Sequence, residues 1–523
     1  MSSASMLTLT PEPHPGSGVG ASTEPTPATD AYLARAGEGY DAWLSHVWPA
    51  AGCQRPVQLR GDLATVDTRS GQLLDSRHTS TLPDGVIYKA CGNRRHTVCP
   101  SCAERYRQDA YQLIRAGLVG GKTIDESVAT HSAVFATFTA PSFGAVHTRV
   151  VKHHTCESRK RCRCRSEPCR ARRDATTCEH GRLTSCSQRH GVDDMALGHP
   201  LCLDCYDHDA QVVWNNHAGE LWRRTVQALT RSLVHVSRQR GVGFLDVETG
   251  PGEHRSLSTL RIRYAKVAEY QTRGVIHFHV LFRLDGVDPY HPDQVTPPDP
   301  AADVDLLTDV IQLAATTTRF RTPAHPTYRP EGWPIGWGEQ LDLRPVLLRG
   351  DNSVTDSQVA GYLAKYATKS TETTGHVSTR LTSETINTYA DPTGSHPERL
   401  IEACWRLSRH AHWHSLGKWA HMLGYGGHFL TKARAYSVSF GYLRSLRVTW
   451  RRSQTPDTTV EVRAIDDRDD DTVIVSNLTY AGIGWHTTAD ATLANTAAAL
   501  ARLRAQTARD SVHEHLDLTT VAV

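Results

Sequence analysis

The segment Val275–Leu284 constrains this chain more than any other. It reads Val-Ile-His-Phe-His-Val-Leu-Phe-Arg-Leu. A period of two puts Ile276, Phe278, Val280, Phe282 and Leu284 on one face of a β-strand, and His277 and His279 side by side on the other. The preceding residues Val267–Gln271 are strand-like too, and Thr272-Arg273-Gly274 fits a three-residue hairpin loop with Gly274 in the left-handed position. Closure there pairs Gln271 with Val275, Glu269 with His277 and Val267 with His279. Directly paired residues share a face, so Glu269 joins both imidazoles. Two neutral imidazoles and a carboxylate suit a divalent ion with positions left open for a substrate oxygen. The plainer alternative is a surface hairpin with two exposed histidines.

A second segment, Gly361-Tyr-Leu-Ala-Lys-Tyr-Ala-Thr-Lys369, has helical spacing. Tyr362 and Tyr366 are four apart and stack on one helix face. Lys365 and Lys369 each follow a tyrosine by three. A phenol with a pKa of about 10 is a poor nucleophile near neutrality. A nearby ammonium favours phenolate and steadies phosphate charge. Two such units would permit two successive phosphoryl transfers; an ordinary amphipathic helix is the alternative.

The thirteen cysteines cluster. Cys91-x7-Cys99-x2-Cys102 offers three thiolates, with His96 or a distant residue as a fourth ligand, and Cys99-Pro-Ser-Cys102 is a knuckle spacing. Downstream, Cys202-x2-Cys205 is the strong half of a second set. Cys169 belongs to the same cluster, Cys178 or His180 with Cys186 would complete its tetrahedron, and Cys156, Cys162 and Cys164 are spare ligands or part of a disordered arm. Closed structural Zn²⁺ sites are expected here, and a harder Mg²⁺ or Mn²⁺ ion for the histidines and Glu269. Buried reduced thiols are the alternative. Arg161, Arg163 and Arg165 alternate with cysteines in a basic stretch that would track phosphates. Lys432 and Arg434 are further candidates for DNA contact, in a Trp/His/Arg-rich region.

The chain has 523 residues, 39% hydrophobic and 22% charged, with a net charge of +3, so a multidomain globular protein is expected and total charge does not itself argue for nucleic acid. No apolar run reaches the roughly 20 residues of a membrane span, and the N-terminal residues lack a basic segment followed by an apolar one. A cytoplasmic protein with reduced thiols and no membrane partner is therefore expected. The reading divides the chain into a disordered leader (1–35), an N-terminal region with the first cysteine cluster (36–130), a central domain (131–375) with a metal-binding insert (152–206), a Trp/His/Arg-rich region (376–455) and a variable tail (456–523). Strands are expected over 131–141, 257–271, 275–284 and about 341–348, and helices over 211–240, 302–318 and 356–371. The Pro/Asp-rich stretch 285–301 reads as a loop. The fold class is α+β, a central antiparallel sheet with flanking helices, zinc-bound inserts and a helical C-terminal region.

Taken in order, Phe135-Ala-Thr-Phe-Thr139, His277-Phe-His279 and Tyr362-x3-Tyr366-x2-Lys369 resemble the three motifs of the His-hydrophobe-His (HUH) endonucleases that initiate rolling-circle replication. Conjugative relaxases of that superfamily carry the tyrosine before the histidines; here it follows them, as in replication initiators. Over residues 85–450 the chain looks like the initiators of actinomycete plasmids and integrative conjugative elements, through Cys91-Gly-Asn-Arg-Arg95, Cys99-Pro-Ser-Cys102, Pro200–Asp207, Trp214-Asn215 and Gly426–Lys432. The resemblance implies an origin-DNA nicking and joining enzyme with Mg²⁺ or Mn²⁺ on His277, His279 and Glu269. Tyr366 ranks first as nucleophile and Tyr362 second, leaving a 5′-phosphotyrosine and a 3′-OH for polymerase. No Gly-x4-Gly-Lys-Ser/Thr loop is present, so the helicase would come from the host. The competing reading is a zinc-dependent DNA-binding regulator without nuclease activity.

Overall fold

A computed structural model describes residues 27–151, 166–172, 176–250, 253–346, 356–366, 379–453 and 472–520. In chain order its longer elements are α1 (Pro27–Ala36), α2 (Tyr40–Val47), β1 (Val57–Asp67), β2 (Leu73–His78), β3 (Ile87–Lys89), α3 (Pro100–Val119), β4 (Ala133–Phe138), α4 (His208–Arg240), β5 (Phe244–Gly250), β6 (Glu253–Ser258), β7 (Leu260–Tyr270), β8 (Ile276–Asp288), β9 (His291–Thr296), α5 (Val304–Thr317), β10 (Arg319–Arg321), β11 (Pro334–Gly336), β12 (Leu341–Pro345), α6 (Asp356–Tyr366), α7 (His396–Leu407), α8 (His414–Lys418), β13 (Leu430–Lys432), α9 (Phe440–Ser453), β14 (Thr472–Ile483) and α10 (Thr488–Thr520).

They form two compact units. The first contains residues 27–91 and 472–520. In it β1 pairs antiparallel with β14 along its length, and with β3 and β2 on its other edge. Trp43, Val47, Tyr88, Ala494 and Ala498 form its core, and Arg35 bridges Asp84 and Asp490 at 2.6 and 2.5 Å. The stretch read as a leader thus contains helix from Pro27, and the stretch read as a tail supplies β14 and α10.

The second unit contains residues 92–453 and carries the candidate site. Its sheet has the order β12-β4-β8-β7-β13, all antiparallel, with β9 added to the end of β8. One face is covered by α4, α5 and α7, which bury Phe278, Val280 and Phe282. The other face packs Leu281, Val267 and Ala265 against Leu113 and Ile114 of α3 and Leu363 of α6. Helix ends follow local chemistry. Asp207 and Asp303 accept from the backbone N–H groups of Ala210 and Leu306 to cap α4 and α5, and Ser395 with Glu398 forms a capping box on α7.

The strands and helices expected for this unit are present to within a few residues, α6 being described only as far as Tyr366. The stretch 285–301 differs. β8 runs on to Asp288 and turns back as β9, pairing Gly286 with Thr296. Its prolines suggest a loop, but a strand at a sheet edge needs no donor on its outer side and tolerates Pro292. Among the described residues no helix is long and apolar enough to cross a membrane.

Candidate functional site

The site is built on the β7–β8 hairpin, whose register is Glu269 opposite His277 and Val267 opposite His279. The turn closes with the Gln271 N–H on the Val275 carbonyl at 2.9 Å, and Gly274 takes φ +77°. A Cβ on Gly274 would stand 2.7 Å from Leu423 Cδ1, so the position is closed to side chains both by conformation and by space. Helix α4 holds the turn from behind. Asn215 Nδ2 donates to the Gly274 and Leu423 carbonyls at 2.9 and 2.8 Å, and its Oδ1 accepts from the Ile276 N–H at 3.0 Å. Gln211 Nε2 and His396 Nε2 both reach the Arg273 carbonyl at 2.9 Å. Burial pushes His396 down to about 4, against the pull of that carbonyl, so its ring stays neutral.

On the hairpin's other face, Glu269 Oε2 lies 3.1 Å from His277 Nε2 and 3.1 Å from His279 Nε2. The two rings stand 4.4 Å apart between centroids. Neighbouring ligands of an octahedral ion with bonds of about 2.1 Å stand about 3.0 Å apart, so each imidazole nitrogen stands from the carboxylate oxygen at the separation of two ligands of one ion, and the three ligand atoms lie within 4.8 Å of one another. Thr137 Oγ1, opposite His279 on β4, is 3.1 Å from His279 Nδ1. If Nδ1 carries the proton and donates to that hydroxyl, the Nε2 lone pair is left for an ion. Phe135 stacks on His279 with 5.8 Å between centroids and walls the site on one side. Glu269 and His279 are buried, and His277 is the more open of the two imidazoles.

Helix α6 lies over the same face. Val359, Ala360, Leu363 and Ala364 are buried in the second core, which leaves Tyr362 on the helix margin, 40% exposed. Its ring meets His279 edge-on at 5.2 Å and Phe135 at 5.8 Å. Lys365 is exposed in the last turn. Tyr366 ends the helix, and its side chain lies outside the described residues, as does Lys369. Arg344 on β12 was not singled out from sequence. It pairs with Asp342 at 2.8 Å, and Asp342 foremost, with Tyr362 a lesser contributor, holds its pKa above the usual value. Register against β4 could have found it, since Arg344 faces Phe135.

The cysteines sort differently from their spacing. Cys178, His180, Cys202 and Cys205 come together, their ligand atoms within 4.8 Å of one another, with His180 Nδ1 3.2 Å from Cys205 Sγ. Cys186 does not join them. It groups instead with Cys169, which spacing placed in the same single cluster, and with His147 and His190, which spacing did not single out. The reason is that the insert folds back at antiparallel bridges, Arg170 to Cys186 and Thr177 to Leu183, which carry Cys186 away from Cys178. Both sets are Cys/His groups of the kind that hold zinc. In the first unit the Cys91 N–H reaches Cys53 Sγ at 3.3 Å. In the second, Cys99 and Cys102 are buried at the start of α3.

Of the candidate DNA contacts, Arg161, Arg163 and Arg165 lie outside the described residues, together with Cys156, Cys162 and Cys164. Lys432 turns its ammonium onto the carbonyls of Ser437, Arg434 and Ala433 at 2.6, 3.1 and 3.4 Å. Arg434 is exposed.

The family model described as RepSA, replication initiator protein, pSAM2, matches residues 39–499. A curated replication initiator protein of Streptomyces ambofaciens is 37% identical over 503 residues, which is 95% of this chain and 98% of the relative. No solved structure matches the chain.

Proposed function

This chain belongs to the RepSA family of replication initiators, and from that premise we propose that it starts plasmid replication as an HUH-type nicking and joining enzyme at a rolling-circle origin. The observation that carries the reading is the meeting of Glu269, His277 and His279 with the tyrosine helix on one face of the sheet.

A Mg²⁺ or Mn²⁺ ion bound by His277, His279 and Glu269 would polarise the scissile phosphate. The chain's own groups do the rest. Thr137 fixes the ring of His279, and Asn215, Gln211 and His396 fix the turn that sets Glu269 opposite His277. Helix α6 brings the nucleophile. Spacing ranks Tyr366 first; among the described side chains, Tyr362 is the phenol against His279. The phenolic oxygen attacks phosphorus and the bond from phosphorus to the 3′ oxygen breaks. The phenolic proton passes through solvent to that leaving oxygen. The products are a 5′-phosphotyrosine link and a free 3′-OH from which a host polymerase extends, with unwinding by a host helicase. Arg344, whose charge couples to Tyr362, and Lys365, three residues on from Tyr362 in the helix, would favour phenolate. Attack by a 3′-OH on the same linkage rejoins the strand.

The test is nicking of a supercoiled plasmid that carries the origin region of the replicon encoding this chain. Wild type with Mn²⁺ should give open circles, and His277→Ala should bind the same DNA without nicking it. Origin binding with no nicking by wild type under any divalent ion would replace this reading with the zinc-braced DNA-binding regulator.

A further inference from the structure

We infer that His147, Cys169, Cys186 and His190 form a closed zinc site of their own, separate from Cys178, His180, Cys202 and Cys205, with Asp194 orienting His190, and that this site clamps the insert onto the turn of the β7–β8 hairpin. The inference does not depend on the nicking reading.

The geometry argues for tetrahedral coordination. His147 Nδ1 and His190 Nε2 are 3.1 Å apart, Cys186 Sγ is 3.6 Å from His190 Nε2, and Cys169 Sγ is 3.9 Å from His147 Nδ1. With Zn–N of about 2.05 Å and Zn–S of about 2.3 Å, the edges of a tetrahedron are about 3.3 Å between nitrogens and about 3.6 Å between nitrogen and sulfur. All three separations lie within about 0.3 Å of those edges.

The surroundings argue for it as well. His190 Nδ1 stands 2.7 Å from Asp194 Oδ2, and the other carboxylate oxygen accepts from the Ala196 N–H at 2.9 Å. A carboxylate anchored in this way accepts a hydrogen bond from the Nδ1–H and turns the lone pair of Nε2 toward the two thiols, the outer arrangement of a ligating histidine. Cys169 Sγ accepts the Thr148 N–H at 3.1 Å, as a metal-bound thiolate does. Cys169 and His190 are both buried.

The clamp follows from backbone connections. The His147 N–H donates to the His199 carbonyl and the Gly198 N–H to the His147 carbonyl, both at 2.9 Å. Gly198 then lies so close to the hairpin turn that a Cβ there would stand 2.8 Å from Thr272 Cβ and 2.9 Å from the Arg273 nitrogen. A metal on His147 therefore steadies the segment that touches the turn between Glu269 and His277.

Zinc content of the full-length protein, purified reduced and without chelator, tests this. Cys169→Ser with Cys186→Ser should carry one zinc equivalent fewer than wild type, Cys202→Ser with Cys205→Ser should also lose one, and the four changes together should lose two. Unchanged zinc in the first variant, or no further loss on combining the pairs, would overturn the assignment. A milder variant guards against misfolding. Asp194→Asn keeps all four ligands and should weaken one zinc equivalent about 10- to 100-fold against a competing chelator, while the rest of the zinc keeps its wild-type affinity. Amide exchange at Thr272–Gly274 should quicken in Asp194→Asn once that equivalent is removed. Unchanged exchange there would refute the clamp, and unchanged chelator competition would refute the role of Asp194.

Discussion

Lys266 sits on β7 opposite Val280, with its side chain on the face away from the histidines and only 3% of the residue exposed. Its Nζ lies 4.0 Å from the ring centre of Phe278 and 5.9 Å from that of Trp222. Burial lowers its pKa from 10.5 to about 7. At about 1.36 kcal/mol per unit, that depression amounts to about 5 kcal/mol of cost to the folded state when the amine is charged. The sign is set by proton counting. Between about pH 7 and 10.5 the unfolded chain holds the proton and the folded chain releases it, so stability from this group rises with pH across that window. Below the window both states are charged and the full cost is present; above it both are neutral and the cost is gone. Lys266→Met should therefore stabilise the protein by up to about 5 kcal/mol near pH 7, with the gain vanishing toward pH 10.5. Urea unfolding of wild type and variant over this range, read by tryptophan fluorescence, measures it. A variant less stable than wild type at pH 7, or a difference independent of pH, would refute the reasoning.

Other expectations concern the site and its supports. Thr137→Val should weaken Mn²⁺ binding about 10- to 100-fold by freeing the ring of His279, measured by calorimetric titration. Asn215→Ala removes three buried hydrogen bonds around the turn and should cost about 3 kcal/mol, measured by urea unfolding. Gly274→Ala forces a side chain into a left-handed position against Leu423 and should cost at least about 1–2 kcal/mol, read from the same transition.

Much of the site geometry could be read from the chain because it is local. A period of two separates the aliphatic and imidazole faces of β8, and a short loop ending in Gly274 sets the register that puts Glu269 beside His277. What could not be read depends on distant partners. β1 pairs Val57 with Ile483, and neither strand has an apolar face strong enough to announce the other across so much chain. Cys186 follows Cys178 closely, yet the bridge to Arg170 carries it toward Cys169. Spacing within a cysteine cluster says which thiols can share an ion, while loop folding decides which do. Helical spacing put Tyr362 and Tyr366 on one face of α6, but it was the packing of Leu363 and Ala364 into the core that turned Tyr362 toward His279.

The central claim is that the hairpin carboxylate and imidazoles act together with a phenol of α6 on one phosphodiester. Mass spectrometry of peptides left attached to DNA, after Mn²⁺-dependent cleavage of single-stranded oligonucleotides covering the origin, tests it most directly. The account predicts a nucleotide joined through its 5′ phosphate to Tyr362 or Tyr366, with no such adduct in His277→Ala. Cleavage without an adduct, or an adduct on a residue outside α6, would contradict it.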